Sequence, residues 1–226
     1  MQYTQREIEN IAPYVQDIAK IGRVVSLQGE NGTESSFRQY AKQPLLLLHI
    51  ATHGFYLSDE DYTNLNNQDY LAMLGKNYRD IEEKGLIRSG LLFSGVNKVL
   101  ADKRPISGDD DGIMTAMEIS NMDLNNVDLV VLSACQTALG VISDDGVIGL
   151  QRGFKKAGVN SILMSLWKVD DDATCLFMTK FYENLASSHD KQQALRTAQS
   201  YLKNSTSYKD PEYWAPFILL DAIPRQ

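Results

Sequence analysis

Hydrophobic residues along this chain gather into short unbroken runs, separated by stretches in which they recur every three or four positions. The runs at residues 23–27, 45–51, 91–96, 129–134, 161–167 and 217–220 predict six strands. Most lack polar alternation, the pattern of strands covered by helices on both faces of a parallel sheet. The helical stretches have readable ends. Thr33 is placed to cap a helix through Phe37 and Tyr40, and Thr115 with Glu118 has capping-box spacing for a short helix through Ile119. Val147, Leu150, Phe154 and Ala157 recur at spacings of 3, 4 and 3, and Gly158 is placed to end that helix. Three aspartates at 170–172 start a helix whose inner stripe is Phe177, Phe181 and Leu185, acidic groups being favoured at its positive end. Asp190 caps another, with Leu195, Ala198 and Leu202 facing inward.

Strands and helices alternate, with pairs of helices near each end, so the predicted class is α/β: a mostly parallel six-stranded sheet with helices on both faces. Residues 54–70 and 98–111, rich in Asp and Asn, read as mobile surface loops. No repeat or linker divides the chain, which predicts a single domain over 1–226. Residues 1–20, interrupted by Pro13, read as a helical lead-in from an upstream region.

Composition narrows the functional classes. With 22 basic and 29 acidic residues the net charge is −7, against the excess of Lys and Arg that a general nucleic-acid binder needs. The apolar run at 45–48 stops at His49, far short of a membrane span, and no secretory signal is visible at the start. Two cysteines, Cys135 and Cys175, make no disulfide framework and fit the cytoplasm. No phosphate-binding glycine loop, paired Cys/His metal spacing or calcium-loop pattern is present, so no cofactor or metal is expected; the Asp clusters at 109–111, 144–145 and 170–172 read as solvated loops and caps.

In an open α/β sheet, chemistry collects beyond the carboxyl ends of the strands. One predicted strand ends near His53-Gly54 and another at Cys135. A thiolate is a strong nucleophile, and an imidazole beside it can take its proton and later protonate a leaving amine. The amides of Gly54 and Cys135 are candidate oxyanion donors. Taken alone, such residues are more often a buried thiol and a satisfied histidine.

Further motifs surround them. Ala-Thr-His53-Gly54-Phe, Asp111-Gly112 with Glu118-Ile-Ser, Leu129-Val-Val-Leu-Ser-Ala-Cys135-Gln-Thr and the Gly146–Phe154 block occur in order. Ser165-Leu-Trp-Lys-Val-Asp170, Phe181-Tyr, Ala194-Leu-Arg and Tyr213-Trp-Ala-Pro-Phe follow. Together they resemble the CHAT domain, the caspase-like domain often found with tetratricopeptide repeats in bacteria. That resemblance implies a caspase-like three-layer sandwich and a cysteine endopeptidase with His53 and Cys135 as its dyad. It also implies a protein substrate and control by a regulatory protein or a tetratricopeptide-repeat region in signalling or defence. Ser-Ala-Cys-Gln-Thr departs from the caspase signature, so specificity for Asp at P1 is not expected.

Ser133, where some relatives carry an acidic S1 residue, is uncharged. The segment at 167–172 resembles one in which separase receives a basic P1 side chain, making Trp167, Asp170 and Asp171 candidates for substrate binding. Helix capping competes for these carboxylates, for Asp172 above all, and a hydrophobic P1 is the alternative. His49, four residues before His53 and on the same strand face, is a candidate supporting residue. His189 reads as an exposed turn, and Cys175 and Trp214 as structural. Self-cleavage near 144–146 is possible, without any particular bond being indicated. The rival functional readings are a catalytically idle interaction scaffold and a small-molecule cysteine hydrolase with a deep pocket.

Overall fold

The computed structural model describes residues 2–20, 22–57, 85–97, 111–135, 141–143, 146–205 and 207–221, with the side chains of 2–3, 134–135, 141–143 and 146–148 not described. In chain order the elements are α1 (Gln2–Ala19), α2 (Glu34–Ala41), β1 (Leu47–Tyr56), β2 (Ser89–Leu92), β3 (Ile113–Thr115) and α3 (Ala116–Ser120). They continue as β4 (Leu129–Cys135), β5 (Val141–Ser143), β6 (Gly146–Ile148), α4 (Leu150–Lys156) and β7 (Ser161–Ser165). Then come α5 (Asp171–Ser188), α6 (Lys191–Lys203), α7 (Pro211–Trp214) and β8 (Phe217–Asp221).

Six strands form one sheet in the order β3-β2-β1-β4-β7-β8, and β5-β6 is a separate hairpin. The central strands are apolar on both faces because each face meets a helical layer. Val130, Leu132, Ile162 and Met164 pack with Phe37 of α2, Ile119 of α3 and Phe154 of α4. Leu129, Val131 and Leu163 pack on the other side with Ile11 of α1, Phe177 and Phe181 of α5 and Ala198 of α6. The result is the expected caspase-like α/β/α sandwich.

The sheet is mixed rather than mostly parallel. β1 and β4 run parallel, as do β4 and β7, but β1–β2, β2–β3 and β7–β8 are antiparallel. At the β8 end the reason is visible. A single crossover helix delivers the next strand parallel, whereas α5 and α6 carry the chain down and back up, so β8 enters from the edge that β7 left. The pair of helices legible in the sequence carried that information.

The run at 23–27 forms no strand. It is extended but unladdered, with Val24, Val25 and Leu27 each 37–38% exposed. β-propensity favours an extended backbone; a strand also needs an open sheet edge with matching faces. β3 fills the sixth place instead, three buried residues of which the last, Thr115, is the α3 cap, too short to register as a run. The 91–96 strand ends at Leu92, before Gly95 turns the chain with φ +104°. Val147 belongs to the hairpin, and α4 starts only after Gly149. The loops expected at 58–70 and 98–110 lie outside the described residues, as do Asp144 and Asp145; residues 54–56 complete β1.

The caps hold as read. Thr33 accepts from the Ser36 amide, Thr115 and Glu118 form the full capping box, and Asp190 accepts from the Gln193 amide. The lead-in is a helix of 18 residues with Pro13 inside it, docked on the α5 side of the sheet.

Candidate active site at the carboxyl edge of the sheet

β1 and β4 are parallel neighbours, paired from Leu47↔Leu129 through His53↔Cys135. Neighbouring strands lie about 4.8 Å apart, so the register puts the two candidate residues at one level, one strand spacing from each other. β4 ends there, while β1 continues through Gly54–Tyr56 against β2. His53 is exposed, one pleat beyond the buried interior. Its strand is also fixed from the other side: His53 is in register with Leu92, and Thr52 Oγ1 donates to the Leu92 carbonyl oxygen at 2.5 Å. Gly54 follows directly, so its amide sits at the same edge.

Along the adjoining chain, Trp167, Lys168, Val169 and Asp170 leave β7 at this carboxyl edge. With Glu212 and Tyr213 they line an open cleft of about 300 Å³. Trp167 is 41% exposed, and its indole Nε1 donates to the Glu212 carbonyl oxygen at 3.1 Å, holding one wall. Asp170 caps α5, its Oδ1 accepting from the amides of Asp172 and Ala173 at 3.0 Å each. The cap is therefore Asp170, and Asp172 pairs with Arg6 of α1 instead. Asp171 is exposed and does not line the cleft. Glu212 is the cleft residue that sequence reasoning missed. Next to Tyr213 it raises that phenol's pKa, but nothing in its local sequence sets it apart from an ordinary acidic residue in the first turn of α7.

Ser133 also stands away from the cleft. Its hydroxyl donates to Glu7 Oε2 at 2.8 Å. Glu7 Oε1 lies 3.0 Å from His49 Nε2, the two side chains each 7% exposed. The two atoms are in close polar contact without hydrogen-bond geometry, neither making a hydrogen bond among the described residues. His49 Nδ1 is 2.9 Å from the Tyr182 hydroxyl. His49 thus bonds away from His53, toward α1 and α5. Glu7 was overlooked although a signal existed: with Ile11, Val15 and Ile18 it occupies the inward stripe of α1, where an acid is out of place.

A second ionisable cluster joins α2, α3 and the start of β3. Arg38 donates to Glu34 Oε1 at 2.7 Å and to Glu118 Oε1 at 3.0 Å, while Glu34 Oε2 accepts from the Gly112 amide. Glu34 is 1% exposed, and burial, aided by the charges of Glu118 and Asp111, lifts its pKa from 4.5 to about 7 against the pull of Arg38. Between these values the unfolded chain has released the proton that the native protein still holds. Stability therefore falls as pH rises from 4.5 to 7, by about 3 kcal/mol when complete. Urea midpoints at pH 5 and pH 8 are expected to differ less in Glu34→Gln than in the wild type, because the substitution removes this slope.

Among the described residues no three His, Cys, Asp or Glu side chains gather to hold a metal, and no helix is long and apolar enough to cross a membrane. Cys175 is buried, with Asn10 Nδ2 3.3 Å from its sulfur; His189 is an exposed left-handed cap of α5; Trp214 donates to the Lys209 carbonyl oxygen.

The chain matches the CHAT domain family over residues 1–222. It is similar to tetratricopeptide repeat protein 28 of Mus musculus, at 33% identity over 108 residues, and to the Homo sapiens protein of the same name, at 34% over 108 residues. Each match covers 48% of this chain and 4% of the relative's length.

Proposed function

The chain belongs to the CHAT domain family, and from that premise we propose that it is a cysteine endopeptidase whose reacting pair is His53 and Cys135. The observation that carries this reading is the in-register pairing of these residues on adjacent parallel strands at the open edge of the sheet. His53 accepts the thiol proton as Cys135 Sγ bonds to the scissile carbonyl carbon, and the Gly54 and Cys135 amides donate to the resulting oxyanion. The imidazolium then gives its proton to the departing amine as the C–N bond breaks. Water, deprotonated by His53, releases the acid product from the thioester and restores the thiol. A thiol in this role fits a reducing, cytoplasmic setting. The association of CHAT domains with tetratricopeptide repeats supports control by such a region or by a partner protein.

The cleft beside β7 supports a basic P1 residue. Asp170 and Glu212 outnumber Lys168 among its ionisable walls, and Trp167 offers an aromatic face to a guanidinium. The test is digestion of a diverse peptide library, with cleavage sites mapped by mass spectrometry beside a Cys135→Ala control. Cleavage after Arg or Lys, lost in the control, is the expected result. Cleavage that persists in Cys135→Ala overturns the reading, as does a Cys135 that neither cleaves peptides nor reacts with a peptidyl electrophile; the latter pair of results describes a scaffold.

Asp170→Asn separates charge from capping, since Asn caps helices as well as Asp does. It is expected to lower kcat/KM for Arg-P1 peptides about 10- to 100-fold, the loss of one charge-assisted bond. Thermal stability should stay unchanged. Equal loss on hydrophobic-P1 peptides would remove Asp170 from specificity.

A further inference from the structure

Tyr182, His49, Glu7 and Ser133 form one buried polar chain running from α5 through β1 to α1 and back onto β4. Burial, with the nearby Glu7 charge, pushes the Tyr182 phenol well up, so it keeps its proton and donates to His49 Nδ1. The imidazole proton then sits on Nε2, facing Glu7 Oε1, while Ser133 donates to Oε2. Each partner takes the role its neighbour requires.

The placement of this chain relates it to the reacting pair. His49 lies two pleats inside His53 on β1, and Ser133 lies one pleat inside Cys135 on β4. A single carboxylate, carried by neither strand, therefore holds both strands just below the level where His53 and Cys135 meet. Apolar packing would suffice to dock α1, and leucine at position 7 would continue its inward stripe. A buried carboxylate is a poor stabiliser by comparison and is better explained by the geometry it imposes.

We propose that Glu7 is a positioning residue: through His49 and Ser133 it sets the relation of the two strand ends, so that docking of α1 governs whether His53 and Cys135 are aligned. The proposal rests on the reading of those two residues as the reacting pair.

The test uses the whole chain and measures the rate and pH dependence of Cys135 alkylation by iodoacetamide, located by mass spectrometry, beside peptide cleavage. The variants are Glu7→Leu, Glu7→Gln, Ser133→Ala and, as reference, His53→Ala. Glu7→Leu is expected to lower the urea midpoint, because it leaves His49 Nε2 and the Ser133 hydroxyl buried without a partner, and its alkylation profile moves toward that of His53→Ala. Its kcat should fall about 10- to 100-fold with KM little changed, the size of a small misplacement of reacting groups. Glu7→Gln can keep a neutral network, its amide oxygen accepting from His49 Nε2–H and its NH2 donating to the Ser133 hydroxyl oxygen, and should stay within about 3-fold of wild type, since geometry rather than charge is at issue. Ser133→Ala should fall between these.

If Glu7→Leu and Ser133→Ala both keep the wild-type profile while His53→Ala loses it, Glu7 has no positioning role and the dyad stands. If His53→Ala itself leaves Cys135 reactivity unchanged, the dyad reading fails, whatever Glu7 does. Should Glu7→Leu not fold, Ser133→Ala decides: a wild-type alkylation profile and kcat there overturn the proposal.

Discussion

Cys135→Ala is expected to abolish peptide cleavage, by more than about 10⁴-fold in kcat, the scale on which loss of a nucleophile is felt. No other described thiol can replace it: Cys175 is buried on α5 and accepts a hydrogen bond from Asn10. His53→Ala should cost about 10²–10⁴-fold and leave a residual rate that climbs with pH, because hydroxide does what the imidazole did. Both substitutions fall at the end of the sheet, and the His53 side chain is already in solvent, so the His53→Ala melting temperature should be that of the wild type. Single-turnover assays with calorimetry on the same samples check both halves. A His53→Ala protein that cleaves at the wild-type rate across pH would leave the parallel register a feature of the fold alone.

The largest loss of stability is expected at Phe177, where α5 meets the β8 edge of the sheet. Its ring stacks on Phe217 with centroids 3.7 Å apart and planes 7° from parallel, and Phe181 stacks one turn further on at 6.5 Å. Phe177 and Phe181 are fully buried and Phe217 almost so, in one apolar cluster with Val131 and Leu163 of the sheet. Phe177→Ala should destabilise by about 3–5 kcal/mol, the sum of lost transfer energy and a cavity. Tyr201→Ala, 48% exposed on α6 with the Lys180 ammonium 4.6 Å from its ring centroid, should change stability by no more than about 1 kcal/mol. Urea titration of the two variants measures the contrast. Similar losses would mean that the aromatic stack is not the core of this layer.

What could be read in the sequence is what local chemistry decides. Thr33, Thr115 with Glu118, and Asp190 cap helices because a side-chain oxygen three residues before an orphan amide needs nothing from the rest of the fold. The unbroken apolar runs of β1, β4 and β7 announce two-sided burial for the same reason. His53 and Cys135 were each legible as residues near strand ends, and the motifs around them carried the family. Their register depends on which strands are neighbours, which no local pattern states. The antiparallel outer strands, the empty extended stretch at Val24 and Val25, and the tie from Glu7 to Ser133 all depend on tertiary neighbours. Apart from Glu7, an acid on an apolar stripe, the side chain or the run in these cases is ordinary, and what decides it lies far along the chain.

That separation sets the order in which the molecule can be completed as it is made. α1 leaves the ribosome before the α5 surface against which it packs, which ends at Ser188. At translation speeds of about 5–20 residues per second, α1 waits on the order of 10 s or more for its seat. A lone helix of this length is marginal in water, and Pro13 weakens it further. Ile8, Ile11, Tyr14, Val15 and Ile18 stay uncovered for that interval, a natural holding point for a chaperone. A segment made early is fastened late, and until it is fastened the two strand ends remain untied.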